Sequence, residues 1–274
     1  MKIEKFIFFI ILFCCASCHP FRGIPKASRT PPISETASSA LPASSTSTDA
    51  TAIVKNSDDL IRGNSIQGIY VMNISTPQWQ RELKLQVYSL EKDKMFIRIL
   101  SPEKESGIGT LRIKNEMWNY LPRVEKLIKI PPSVMMQPWM GSDFNNDDLV
   151  KESSIVNDYS HSILMEEEIE GRMTYKIELR PKPGAPVVWG KIFRWVSKDG
   201  FIPMKEEYYN EKGKLIKVLD YSDVEKVSDR VIPRTWKMTS LIEKGHTTTI
   251  TIIEANYNTP IDESVFTLTN LRNI

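Results

Sequence analysis

Cysteine is scarce in this 274-residue chain, and all three, Cys14, Cys15 and Cys18, lie in the first eighteen residues. Everything downstream is without disulfides, thiol nucleophiles or thiolate metal sites, so a fold there must be held by its core. Histidine is equally scarce: His19, His161 and His246 are the full set. A hydrolase triad needs a nucleophile, a base and an orienting acid, and no serine here sits in a G-x-S-x-G elbow. His161, within Tyr159-Ser160-His161-Ser162, is expected to face solvent from a strand. No catalytic residue is assigned, and the chain is not expected to be an enzyme. There is no Gly-rich phosphate loop and no internal repeat, and no cofactor is implied. An excess of one charge is missing too: 36 Lys and Arg stand against 34 Asp and Glu, for a net +2. The basic residues are scattered among acidic ones without a sustained stripe, which gives nucleic-acid binding no support. Arg123, Lys126 and Lys129 form a local basic spot, read as a solvated loop face that could also meet lipid headgroups.

Metal binding has one superficial candidate. Asp143, Asn145 and Asp147 take the first, third and fifth places of a calcium loop. However, Asp148 stands where the loop needs glycine and Ser154 where it needs glutamate. The segment is read instead as a turn that caps a short following helix, and no metal is expected. Glu166, Glu167 and Glu168 point alternately to opposite faces of a strand and read as a solvated edge.

What is present begins with an export signal. Lys2 and Lys5 precede the apolar run Phe6–Phe13, which is too short to span a bilayer. Small residues lead into Cys18, which resembles the acylated cysteine of a lipobox, with Cys15 where leucine is usual. Lipidation at Cys18 would anchor the chain stably through two or three acyl chains. From Ser28 to Thr48, seventeen of twenty-one residues are Ser, Thr, Pro or Ala. Such a stretch cannot bury a core. A tether of about 35 such residues spans roughly 30–35 Å. The expected organisation is a signal at 1–18, a disordered tether at 19–55 and one folded body at 56–274.

Asp49 to Gly63 reads as a short helix with a cap at each end. Beyond it the hydrophobic period becomes two. Leu83, Leu85 and Val87, then Met95, Ile97 and Ile99, then Leu111 and Ile113 alternate with polar or mixed neighbours. Further strands are expected at 159–169, 174–179, 187–196, 201–210, 215–227, 231–242 and 247–256, separated by glycine- and aspartate-bearing turns. The closing Ser264–Leu268 is expected to pair at a sheet edge. Regular spacing without long helices argues an antiparallel meander.

Residues Trp118–Leu149 break this pattern. A strand-like start with Trp118 and Tyr120 runs into Pro131-Pro132, then the cluster Val134, Met135, Met136, Trp139 and Met140. Thioethers adapt to apolar partners of varied shape, so the segment reads as a lid or mouth over an apolar cavity. Trp118, Tyr120, Met135, Met136, Trp139 and Met140 are its candidate lining. Leu83, Leu85, Met95 and Ile97 are further candidates, although alternation shows only a buried face and does not separate core from pocket.

The same segment carries a resemblance. Met117-Trp118-Asn119-Tyr120-Leu121-Pro122, Lys129-Ile130, Met135-Met136, and Met140-Gly141-Ser142-Asp143-Phe144 through Asp147-Asp148-Leu149 resemble the signature of LolA-like outer-membrane lipoprotein-sorting proteins. The likeness extends from about Asp58 to Leu271 and takes in Tyr159, Gly213, Pro233 and Val265-Phe266-Thr267. It implies a mainly β fold: an open, incomplete antiparallel β-barrel around a few short helices, enclosing a hydrophobic cavity for acyl chains. The chain departs from a soluble carrier in bearing its own anchor signal. The function implied is a periplasmic, lipid-anchored monomer that binds lipid or lipoprotein acyl chains for transfer. Its exchange partners would be a membrane exporter or an acceptor lipoprotein. His19, not aspartate, follows Cys18 and favours the outer membrane. The alternative is an envelope sensor that binds lipidated proteins and regulates a membrane partner.

Overall fold

A computed structural model describes residues 49–151 and 155–273. Cys18 and the expected signal and tether up to residue 48 lie outside the described residues. The body is a single antiparallel sheet of thirteen strands in the order β6-β5-β4-β3-β2-β1-β13-β12-β11-β10-β9-β8-β7. The strands are β1 Ser65–Ser75, β2 Gln80–Leu90, β3 Lys94–Ser101, β4 Gly109–Ile113, β5 Glu116–Leu121, β6 Lys126–Lys129 and β7 Tyr159–Ile169. They continue with β8 Arg172–Pro181, β9 Lys191–Ser197, β10 Pro203–Tyr209, β11 Leu215–Val227, β12 Arg230–Ser240 and β13 Thr247–Tyr257. Every strand pairs with its neighbours in sequence except β6 and β7, which do not pair with each other, and β1 also pairs with β13. The sheet is open, and its two free edges, β6 and β7, are consecutive in the chain. The described residues between them, 130–151 and 155–158, lie over the opening and are called the crossing segment below.

Helix α1, Ala50–Arg62, starts as its sequence dictates: the Asp49 carboxylate accepts from Thr51 N at 2.8 Å. It ends at Gly63, whose N–H returns to Asp59 O at 2.9 Å. Ile53, Val54 and Ile61 are buried on one side of the helix. Because α1 packs onto the sheet, the folded body begins ahead of the expected boundary at residue 56, which falls inside this helix.

Cross-strand rows define the inner face. Val87 lies opposite Gly68 and Ile97, and Met72 lies opposite Leu83 and Ile250. Together with Ile66, Tyr70, Ile74, Leu85 and Ile99 they form one buried cluster, on which Ile61 of α1 and Trp139 also pack. Such stacked aliphatic rows contribute about 1.5–3 kcal/mol per fully buried side chain. β1 and β6 go beyond the sequence expectation. β1 escapes a period-two reading because Ile69 and Val71 are half-buried on the opposite face, so apolar residues occur on both parities.

The C-terminal segment corrects an expectation. Residues Glu263–Phe266 form a 3-10 turn and Leu268–Arg272 a short helix, α3, rather than an edge strand. Thr267 caps α3, its hydroxyl accepting from Asn270 N at 3.1 Å. Phe266 and Leu271 are buried on the outer face of the sheet against Phe96, Leu111 and Tyr120. The approach is close: a Cβ at Gly109 would stand 2.6 Å from Leu271 Cδ1, so that leucine's tip would have to shift.

Candidate functional site

Between the inner face, α1 and the crossing segment lies a cavity of about 180 Å³. One wall is mostly aliphatic and comes from β1–β3: Ile66, Leu85, Val87, Met95 and Ile97, with Tyr70 and Ser89 among them. The facing wall comes from β9–β11 and is of another kind. Strand alternation brings Ile192 and Arg194, Glu206 and Tyr208, and Leu219 and Tyr221 to the same lining. From above, α1 contributes Asp58, Ile61 and Arg62, and the crossing segment contributes Trp139, Phe144, Asp147 to Leu149 and Ile155.

The β9–β11 wall is organised around one ion pair. Arg194 Nε lies 3.2 Å from Glu206 Oε1, and both side chains are 4% exposed. Tyr208 donates its hydroxyl to Glu206 Oε2, Tyr221 donates to Oε1 at 3.3 Å, and Arg194 Nη2 donates to Ser57 Oγ on α1 at 3.2 Å. Burial works against the Arg194 charge, but Glu206 with its neighbours outweighs it and holds the guanidinium above its ordinary range. Burial also pushes the Tyr208 hydroxyl well up, reinforced by Glu206. On α1, burial would raise the Asp58 carboxyl, but Arg62 and Lys92 overcome it and the net shift is downward. A buried pair left with one partner typically costs 3–5 kcal/mol, so this wall is specific in a way the aliphatic wall is not.

The crossing segment is held over the cavity by polar contacts near its glycine turn. Arg81 Nη1 donates to Met140 O at 2.8 Å. Thr248 Oγ1 accepts from Asp143 N at 2.9 Å and donates to Asp143 Oδ2 at 2.7 Å. Lys217 pairs with Asp148 and lies 4.9 Å from the Trp189 ring centre. Asn145 and Asp148 cap each other reciprocally: Asn145 N donates to Asp148 Oδ2 at 2.8 Å, and Asp148 N to Asn145 Oδ1 at 2.7 Å. That turn opens the short helix α2, Asn146–Lys151, so the acidic stretch forms the capping turn read from its sequence.

The sequence-predicted residues divide. Leu85, Met95, Ile97 and Trp139 line the cavity. Trp139 is 3% exposed and donates its indole N–H to Thr110 Oγ1 at 3.1 Å, which makes it a fixed plug rather than an adaptable lid residue. Met135 and Met140 are half-buried against the inner cluster, Leu83 is fully buried within it, and Met136 is 49% exposed. Trp118 and Tyr120 belong to the other side. They sit opposite Leu111 and Gly109 and pack in the outer cluster beneath Phe266 and Leu271, while Met117 takes the inward parity. The aromatic pair therefore does not line the cavity. His161 also departs from expectation: it contacts Thr51 Oγ1 of α1 at 3.2 Å and Ile155 O at 3.1 Å. Burial lowers its pKa. The ionic wall was not anticipated. Its one sequence signal is a charged residue, Arg194, inside the apolar run Ile192–Val196.

The model of a family described as "Uncharacterized protein", of the "-like" kind, matches residues 91–273. No curated protein matches the chain. Among solved structures, the chain is similar to a DUF1329 family protein from Desulfovibrio piger, with TM-score 0.75, 23% identity, and coverage of 81% of this chain and 97% of that one. It is similar to a putative outer membrane lipoprotein-sorting protein domain from Vibrio parahaemolyticus, with TM-score 0.72, 22% identity, and coverage of 82% and 98%. A LolA superfamily protein from Nitrosomonas europaea gives TM-score 0.68 at 21% identity, covering 81% and 98%. At this depth the likeness establishes a shared, LolA-like fold.

Proposed function

The chain belongs to that uncharacterized-protein-like family, and we propose that it uses the LolA-like fold to carry a lipid or a lipoprotein acyl chain without covalent chemistry. The observation that carries this reading is the cavity with one largely apolar wall and one polar wall. An acyl chain gains about 0.8 kcal/mol per buried methylene along the aliphatic wall, and the polar end of an amphiphile is accommodated beside Arg194, Glu206 and the tyrosines. The fold neighbour described as a putative outer membrane lipoprotein-sorting protein domain supports the same direction, as does the lipobox-like Cys18, which would place the protein in the bacterial envelope on a lipid anchor. Transfer between membranes, with an exporter or an acceptor lipoprotein as exchange partner, is the finer form of the proposal.

A volume of about 180 Å³ is below the 300–1,000 Å³ usual for ligand sites. A long chain therefore enters by displacing what covers the cavity. In this scheme the chain displaces the side chains of Met135 and Met140, which re-pack readily, while the polar contacts at Arg81, Thr248 and Lys217 keep the backbone around them in place.

The test is titration of the full chain with a fluorescent fatty-acyl probe. Val87→Phe, which fills the cavity from the aliphatic wall, is expected to weaken the probe at least tenfold while circular dichroism stays unchanged. An unchanged affinity would put the ligand elsewhere.

A further inference from the structure

Antiparallel pairing throughout places successive turns alternately at two ends of the sheet. At one end, the turns 76–79, 241–246 and 210–214 are neighbours, because their strands run β2-β1-β13-β12-β11-β10 in the sheet, and the turns 102–108 (with Glu103, Lys104 and Glu105), 122–125 and 182–190 lie at the same end. The other end carries the turns 91–93, 114–115, 170–171, 198–202 and 228–229.

The two ends differ in chemistry. At the first, Trp79 is 43%, Leu241 47% and Ile242 58% exposed. Lys212, Lys214 and Lys244 are exposed beside them, with Glu211 and Glu243, and Glu243 lies 2.9 Å from His246. At the second end the turns carry Glu91, Asp93, Glu170, Asp199 and Asp229 against Lys92, Lys114 and Lys198. Among the described residues, no large apolar side chain is exposed in those turns.

The apolar tips are held in place. Thr76 N donates to Trp79 O at 2.9 Å, and Thr76 Oγ1 accepts from Trp79 N at 3.1 Å. A Cβ at Gly245 would lie 3.0 Å from Pro77 Cγ, so two of the three turns abut.

The same end meets both the cavity cover and the start of the domain. Arg81 holds Met140, and Thr248 holds Asp143, at the strand ends next to these turns. α1 joins β1 at the opposite end, where Glu91 N donates to Asn64 O. Its first turn contacts His161 near the start of β7. Because Tyr159 of β7 pairs with Pro181 at the lysine-bearing end, the first turn of α1 lies on that side.

We propose that this end is a docking surface for an anionic lipid bilayer. Trp79, Leu241 and Ile242 enter the headgroup layer, and Lys212, Lys214 and Lys244 lie over its negative charge. Exposed tryptophan beside aliphatic tips suits the interface of a bilayer. Each lysine near an anionic surface contributes about fivefold in partition. The docking rests on the carrier reading for its purpose, since it sets the cavity cover against the source of acyl chains. It does not rest on that reading for its physics.

The experiment uses the full chain with Cys18→Ser, which has no acyl anchor, and its co-sedimentation with vesicles. Phosphatidylcholine vesicles are compared with mixed phosphatidylcholine–phosphatidylglycerol vesicles, and the basic N-terminal residues, which also favour the mixed vesicles, are common to the parent and every variant compared with it. The expected result is preferential binding to the mixed vesicles that falls with salt. Lys212→Glu/Lys214→Glu/Lys244→Glu should lower it at least tenfold, and Trp79→Ser severalfold. Lys114→Glu/Lys198→Glu at the other end should leave it unchanged. Equal binding to both vesicle types, no vesicle binding, or wild-type binding by the lysine variant would overturn the proposal. The acyl probe is measured on the same proteins. Vesicle binding without probe binding would sink the carrier reading and leave the docking surface standing.

Discussion

The two walls of the cavity are built from strands of similar length but by different means. The β1–β3 wall is mostly aliphatic, its residues lie in straight cross-strand rows, and one can replace another at modest cost. The β9–β11 wall is an ion pair inside a cage of tyrosine hydroxyls, with a further hydrogen bond to α1. The first wall offers an amphiphile no defined polar partner, and the second offers several. On the proposed carrier reading, the contrast would let one small cavity tolerate varied hydrocarbon and still orient a polar end.

The largest expected effect comes from breaking the second wall by halves. Arg194→Met leaves Glu206 buried without its cation and should cost about 3–5 kcal/mol in urea unfolding. Arg194→Met/Glu206→Gln should recover much of that loss. A double variant as unstable as the single one would show that the wall is not organised around this pair. Next comes the plug between the walls: Trp139→Ala should cost about 3–5 kcal/mol, whereas Met136→Ala, on the same segment but exposed, should stay within about 0.5 kcal/mol.

The aliphatic wall should yield less: Ile97→Val is expected to cost about 0.5–1.5 kcal/mol with little change in acyl-probe affinity. A tenfold loss of affinity would mean that this wall, too, has defined partners. The smallest effect depends on pH. Arg62 and Lys92 overcome burial and hold Asp58 below its ordinary value of 3.8. A carboxyl depressed in the folded state contributes stability that is present above its unfolded pKa and is lost as pH falls through the folded one. The stability gap between wild type and Asp58→Asn should therefore be widest near neutrality and close below about pH 4. A gap constant across that range would contradict the assignment.

Much of the sheet was legible from alternation and turns. β7 and β11 coincide with their expected bounds, and α1 lies between the two caps read for it. The site was less legible, for a reason visible at β5. Met117, Trp118, Asn119 and Tyr120 place bulky apolar residues on both parities, so local pattern cannot say which face looks inward. The face is decided by Phe266 and Leu271, far along the chain, which cover Trp118 and Tyr120 from outside. The polar wall was hidden similarly. Arg194 stands between Phe193 and Trp195, and its partner Glu206 becomes its neighbour only when β9 and β10 pair. Pairing across strands, not pattern within them, creates the ionic half of the cavity.

The central claim is that this interior holds an amphiphile. The most direct measurement is native mass spectrometry, with lipid extraction, of the full chain purified from membranes. A co-purifying lipid or acylated peptide, lost in Val87→Phe, is the predicted result. A stable chain that is empty as purified and takes up no added lipid would contradict the account and favour a role in binding a protein partner.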